Sequence, residues 1–322
     1  MKHIRTRLRI ASRSYLSGLA IYSIFIVTYR YSGYYHGLLL PETQRTINYL
    51  FFFFVFTGLF RLFYYPEKGY KPYELMRSIP EFVKSVYVFC LGYYRLKFEI
   101  KKEQKNLWLF TIVKGFYLPL MINYLITNLK NVNTSLNYSN ILNILFTIDT
   151  AFFTFGYLIQ HKRLGNTVKS VEQTMFGWLI TLACYPPFNS VTGSLLGWYS
   201  VDNFSFNIPG FDNFARVAVL LMIGLYTWAS VSLGFKCSNL TNRGVVTRGA
   251  YRWIRHPAYT GKVIAWWIMA LPRFSLPMVI SMSAWSLVYF FRAITEERHL
   301  SNDPDYRRYM KKVPYRFIPL VA

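Results

Sequence analysis

This chain has little negative charge. Its 322 residues carry 14 Asp and Glu against 37 Lys and Arg, a formal net charge of +23, and charged residues make up only 16% of the total. A nucleic-acid-binding reading of that charge needs basic residues gathered on a soluble domain, and no segment offers one. Cysteine is scarcer still: Cys90, Cys184 and Cys237 are scattered, without metal-ligand spacing, and point to neither disulfides nor a zinc site. There is no internal repeat and no short apolar core with a small-residue cleavage site near the start, so the first apolar stretch is expected to stay as a helix. What is abundant is apolar surface, 53% of residues with 20% aromatic, gathered into several stretches of 18 or more mostly apolar residues. That composition specifies a polytopic membrane protein.

Backbone polar groups cannot go unpaired in lipid, so the spans must be helices. They are expected near residues 15–38, 48–65, 107–128, 140–160, 172–196, 215–235, 262–271 and 276–291. The fifth is interrupted by Pro186-Pro187, and the seventh is short, spanning only if its helix begins near Tyr259. Short cytoplasmic loops collect Lys and Arg. Alternate loops here hold thirty basic residues against three (Arg45, Lys130, Arg273), and 188–213 holds none. The expectation is an all-α polytopic integral membrane protein of about eight transmembrane helices, with both termini in the cytoplasm. The membrane would be the plasma membrane in a bacterium or the endoplasmic reticulum in a eukaryote. Residues 81–94 are apolar on one side and flanked by Lys and Arg, which fits either a helix lying in the interface or a plain connector.

Chemistry-bearing residues concentrate in the last quarter. Arg255 offers a permanent charge with a fork of donors, and His256 a donor or acceptor near neutral pH, both set by Pro257 at the mouth of a helix. Gly244 and Gly249 permit close backbone approach, while Tyr251 and Tyr259 supply faces suited to a planar base or a sulfonium cation. A helical hairpin turned at Pro272-Arg273-Phe274-Ser275 would return Glu296-Glu297 to the face that holds Arg255-His256. Asp303-Pro304 then reads as an N-cap with proline at the first helical position, opening a short helix through Tyr306 and Tyr309.

These elements follow in order: Gly244-Val245-Val246-Thr247-x-Gly249-x-Tyr251, Arg255-His256-Pro257-x-Tyr259, the hairpin, Arg292-x-x-x-Glu296-Glu297-x-x-Leu300, Tyr306-x-x-Tyr309 and Val313-x-x-Arg316-Phe317-Ile318-Pro319. Over 242–319, about a quarter of the chain, the order resembles the isoprenylcysteine carboxyl methyltransferase family, and phospholipid methyltransferases share much of it. The resemblance implies cytoplasmic loops that bind S-adenosylmethionine and a lipid-like or prenylated acceptor entering sideways from the bilayer. It makes Tyr251, His256, Tyr259 and Glu297 candidate cofactor residues with Val246 and Gly249 as backbone contacts, and Arg255 and His256 candidate catalytic residues, to which the chemistry of the acidic pair adds Glu296. The sequence departs from that pattern at Asn242 or Arg243, where many relatives place a histidine, and at Lys262.

The domain expectation is an N-terminal transmembrane region over 1–173, on the acceptor side or structural, and a methyltransferase-like core over 174–322. Methyl transfer needs alignment of acceptor, methyl and leaving sulfur, an effect of about 7–11 kcal/mol. A carboxylate acceptor, favoured here, is ionised and needs no base; a lipid amine would need His256 or Glu296 to take a proton. Two other readings stand beside this one. Sterol-type reductases using NADPH are similar in Arg-His-Pro-x-Tyr and in Val313-Pro314-Tyr315-Arg316, but show Asn in place of Ala258 and an acid in place of Lys262. A transporter or silent lipid-binding protein would use ionisable groups within spans, of which Asp149 is the leading one, unless it only bonds a neighbouring helix.

Overall fold

The computed structural model describes residues 2–64, 71–90 and 101–319. The chain forms two compact units, 1–123 and 124–322. The first holds α1 (Lys2–Tyr31), α2 (Gly33–Leu38), α3 (Pro41–Tyr64), α4 (Lys71–Cys90) and most of α5 (Lys102–Asn131). Within it Asn123 on α5 accepts hydrogen bonds from the Leu40 amide and the Thr43 hydroxyl, each 2.8 Å, which fixes the start of α3. The connector or interfacial helix expected over 81–94 is helical as far as Cys90; residues 91–94 lie outside the described residues.

The second unit holds α6 (Tyr138–Leu158), α7 (Met175–Leu182), α8 (Phe188–Leu196), α9 (Pro209–Leu233), α10 (Pro257–Ala270), α11 (Leu276–Leu300) and α12 (Pro304–Lys312). Side chains that accept a backbone N–H mark several starts: Asn137 for α6, Thr174 for α7, Ser275 for α11 and Asp303 for α12. Proline opens α9, α10 and α12, where its missing N–H has no intrahelical partner to lose. The core between α6, α9 and α10 is built from Leu142, Val219, Ile223, Ala265 and Met269. Helix α10 sits close on α9 because Gly261 leaves room; a Cβ there would stand 2.4 Å from the Met222 carbonyl oxygen.

Six helices among the described residues are long and apolar enough to cross a bilayer: Ile4–Tyr31, Pro41–Tyr64, Lys102–Asn131, Tyr138–Leu158, Pro209–Lys236 and Leu276–Leu300. The protein is an all-α integral membrane protein. The difference from about eight falls on the two stretches already marked as interrupted or short. Around Pro186-Pro187 the fifth divides into α7 and α8, of 8 and 9 residues. The seventh is α10, whose 14 residues rise only about 21 Å against a hydrocarbon core of about 30 Å.

Asp149, the lone acid of α6, is buried against α9, where it accepts from the Tyr226 hydroxyl at 2.5 Å and from Ser230. It thus ties α6 to α9. A two-residue antiparallel ladder joins the loop after α6 to the loop after α9, pairing Ser170 with Asn242 and Val171 with Thr241. That ladder carries Glu172 and Asn239 toward the end of α11.

Candidate active site

The turn before α10 places Arg255 and His256 beside the C-terminal segment. Their amides donate to the carbonyls of Tyr315 (3.0 Å) and Arg316 (2.9 Å), so 315–316 runs alongside them as an extended strip. Arg255 Nε donates to Glu297 Oε1 at 2.7 Å, and its Nη1 to the Val313 and Pro314 carbonyls at 2.9 and 2.6 Å. His256 Nε2 lies 3.0 Å from the same Oε1. Arg316 donates to Glu297 Oε2 through Nε (3.1 Å) and Nη2 (2.8 Å). Glu297 is 4% exposed, and three basic side chains occupy both its oxygens. A carboxylate so enclosed clamps the chain end onto α11; breaking such a buried set leaves charges without partners.

His256 passes this order to Tyr259, whose ring stacks on the imidazole with centroids 5.2 Å apart and planes 9° from parallel. The Tyr259 hydroxyl donates to Glu296 Oε2 at 2.7 Å. Of the expected residues, then, Arg255, His256, Tyr259, Glu296 and Glu297 come together. Val246, Gly249 and Tyr251 stand on the approach loop. Gly249 has φ +62° and its missing Cβ would lie 2.1 Å from Ser232 Oγ, so close packing against α9 accounts for the glycine. The Tyr251 carbonyl accepts from the Tyr309 hydroxyl at 2.8 Å, and burial pushes the Tyr251 phenol well above its ordinary pKa.

Next to Glu296 is a polar cavity of about 40 Å³, bordered by Glu172, Asn239, Tyr259, Arg292, Glu296 and His299 among others. That volume admits a small polar group. Two buried atoms on its border lack partners: Glu172 Oε2, an acceptor, and Asn239 Nδ2, a donor. Arg292 is 8% exposed, donates to Asn239 Oδ1 at 2.5 Å and lies 5.2–5.7 Å from the ring centres of Tyr185, Tyr259 and Tyr289. It has no carboxylate within ion-pair distance among the described residues. Unsatisfied buried groups of this kind call for a complement. On the other side of Tyr259 an apolar groove of about 520 Å³ runs between α10 and α11, bordered by Trp267, Leu287, Phe290, Phe317 and Ile318.

Arg292, Glu172, Asn239 and His299 were not among the expected site residues. Arg292, Glu296 and His299 are spaced i, i+4, i+7, which places them on one face of a helix, so two of the four were legible. Glu172 and Asn239 arrive through the Ser170–Asn242 ladder, and no local pattern announces them.

Part of the border of this polar cavity and apolar groove falls in a stretch that matches a known family, while Glu172, Thr181, Phe317 and Ile318 lie outside it. Residues 213–303 match the phospholipid methyltransferase family. The phospholipid methyltransferase match takes in most of α9 and all of α10 and α11, hence Arg255, His256, Tyr259, Arg292, Glu296 and Glu297. It ends before α12 and the clamped strip. A search of the curated proteins finds no match.

Proposed function

We propose that the protein is an S-adenosylmethionine-dependent methyltransferase acting on an amphiphilic acceptor at one face of the membrane. The observation that carries this reading is Tyr259, the common wall of the polar cavity and the apolar groove. The donor set fits the cofactor's amino-acid end: Glu296 and Glu172 suit an ammonium group, Asn239 Nδ2 a carboxylate oxygen, and the aromatic faces a sulfonium. Bound there, S-adenosylmethionine supplies an electrophilic methyl group. The apolar groove takes the acceptor's chain, and Arg292, which has no carboxylate within ion-pair distance among the described residues, meets its anionic group from the border of the polar cavity. That group is the carboxylate of a prenylated cysteine or the phosphate of a phospholipid.

On this reading Arg255, His256 and Glu297 are positioning residues that hold Tyr259 and the chain end. Val246, Gly249 and Tyr251 support the loop. A carboxylate acceptor needs no base; for an amine, exposed Glu296 is better placed to take the proton than His256, whose Nε2 faces Glu297. We assign the site and both termini to the cytoplasmic face on the basic-loop asymmetry, with the divided fifth and short seventh stretches counted as crossings, residues 174–322 together with Glu172 to the catalytic core, and the rest of 1–173 to the acceptor side or to structure.

The test is calorimetric titration of the detergent-purified chain with S-adenosylhomocysteine, with NADPH in parallel. Micromolar binding of the first, weakened about tenfold by Glu296→Gln, supports the reading. Binding of NADPH alone favours the reductase instead. Labelled methyl transfer to a prenylcysteine or to phosphatidylethanolamine then distinguishes the acceptors.

A further inference from the structure

A second cleft, of about 460 Å³, opens between the loop after α6, the loop after α9 and α12. Five cations border it: Lys169, Lys236, Arg243, Arg308 and Lys312. Two of them are neutralised within the fold. Lys169 Nζ is 2.7 Å from Asp303 Oδ2, and Arg308 pairs with Asp305. Lys236, Arg243 and Lys312 have no carboxylate within ion-pair distance among the described residues.

Arg243 is the more telling of these, being only 3% exposed. Its Nε donates to Thr241 Oγ1 at 3.2 Å, and its Nη1 to Asn166 Oδ1 at 2.6 Å and to the Gly156 carbonyl. Its guanidinium lies 5.4 Å from the centre of the Tyr157 ring, and its Nη2 is buried with no hydrogen-bond partner among the described residues. Burial pushes the guanidinium pKa down to about 10, which leaves it charged at neutral pH. A buried donor on a charged group, left unmatched, is costly, and so is an unneutralised cluster of like charges. Beside it Gly244 has φ +90°, and a Cβ there would meet Lys236 Nζ at 3.3 Å and Lys169 Nζ at 3.9 Å. Glycine thus lets two ammonium groups converge on one turn of backbone.

Three cations with no carboxylate in ion-pair range among the described residues suit a tetrahedral dianion better than a single carboxylate, and a planar guanidinium beside compact ammonium groups is a common way to hold a phosphate. We propose that this cleft binds a phosphate group, carried by a lipid headgroup or free in solution, at a site distinct from the cavity beside Tyr259.

Arg243→Ala also removes the bonds to Gly156 and Asn166, so Lys236→Gln and Lys312→Gln carry the test. The unfolding temperature of the detergent-purified full chain is followed against inorganic phosphate and against dioctanoyl phosphatidic acid, with chloride at equal ionic strength as reference. A saturable rise is expected in the unsubstituted chain, with half-saturation moved about tenfold higher in each variant. A response to the lipid alone assigns a headgroup, and a response to inorganic phosphate assigns free phosphate as sufficient. No rise above chloride, or variants that respond as the unsubstituted chain does, overturns the proposal. Displacement of phosphate by S-adenosylhomocysteine also overturns it, because the cleft would then belong to the site at Tyr259.

Discussion

Two adjacent carboxylates at the end of α11 meet different surroundings: Glu297 is buried with both oxygens bonded to Arg255, His256 and Arg316, while Glu296 is exposed and accepts one bond from Tyr259. One residue along a helix is a turn of about 100°, enough to send neighbours into different environments. The set around Glu297 is closed, with charge and hydrogen bonds matched inside the protein. The cavity on the Glu296 side is open, with a cation that has no carboxylate and two polar atoms that have no hydrogen-bond partner among the described residues. A closed set reads as architecture and an open one as a place for a ligand.

The largest effect expected from breaking this contrast is on stability. Glu297→Gln strips the shared charge from three basic groups, and thermal unfolding in detergent should show a loss of about 3–5 kcal/mol. A melting point unchanged within error would mean that the clamp contributes nothing. Glu296→Gln should do the reverse, leaving stability within about 0.5 kcal/mol while weakening S-adenosylhomocysteine binding about tenfold. Equal melting losses in the two variants would erase the distinction between them. Tyr259→Phe keeps the stack on His256 but removes the bond to Glu296, an effect of about 1 kcal/mol that should appear in ligand affinity.

The smallest effect is on pH dependence. Burial raises the Asp303 pKa, but hydrogen bonds from Lys169, the Asp305 amide and Asn242 outweigh it and hold the carboxyl below its ordinary value of about 4. A depressed carboxylate stabilises the fold above its unfolded pKa and loses that contribution as pH falls through the folded one. Asp303→Asn should therefore lower stability slightly at pH 7 and flatten its decline below about pH 4. A decline as steep as in the unsubstituted chain would remove Asp303 as its source.

Much of the frame could be read along the chain. The Asp303-Pro304 cap, the turn ending at Ser275 and the start of α10 at Pro257 stand where local chemistry puts them. Capping and proline geometry act over three or four residues, so sequence neighbours suffice. The helical hairpin likewise returns the acidic pair to the level of Arg255 and His256. The division of roles between Glu296 and Glu297 was not legible, and neither were Glu172 and Asn239. Asp149 shows the same limit: its place in an apolar span is plain, while its bonds to Tyr226 and Ser230 lie 77 and 81 residues away.

The order of residues alone specifies a bundle of membrane helices, because long apolar runs in lipid leave the backbone no other way to satisfy its hydrogen bonds. It also determined where several helices begin. Which charges cancel one another and which are left facing a cavity is set when the helices pack. Coulomb attraction and desolvation depend on distance and burial in space, and Arg255 and Glu297 meet at 2.7 Å although 42 residues separate them.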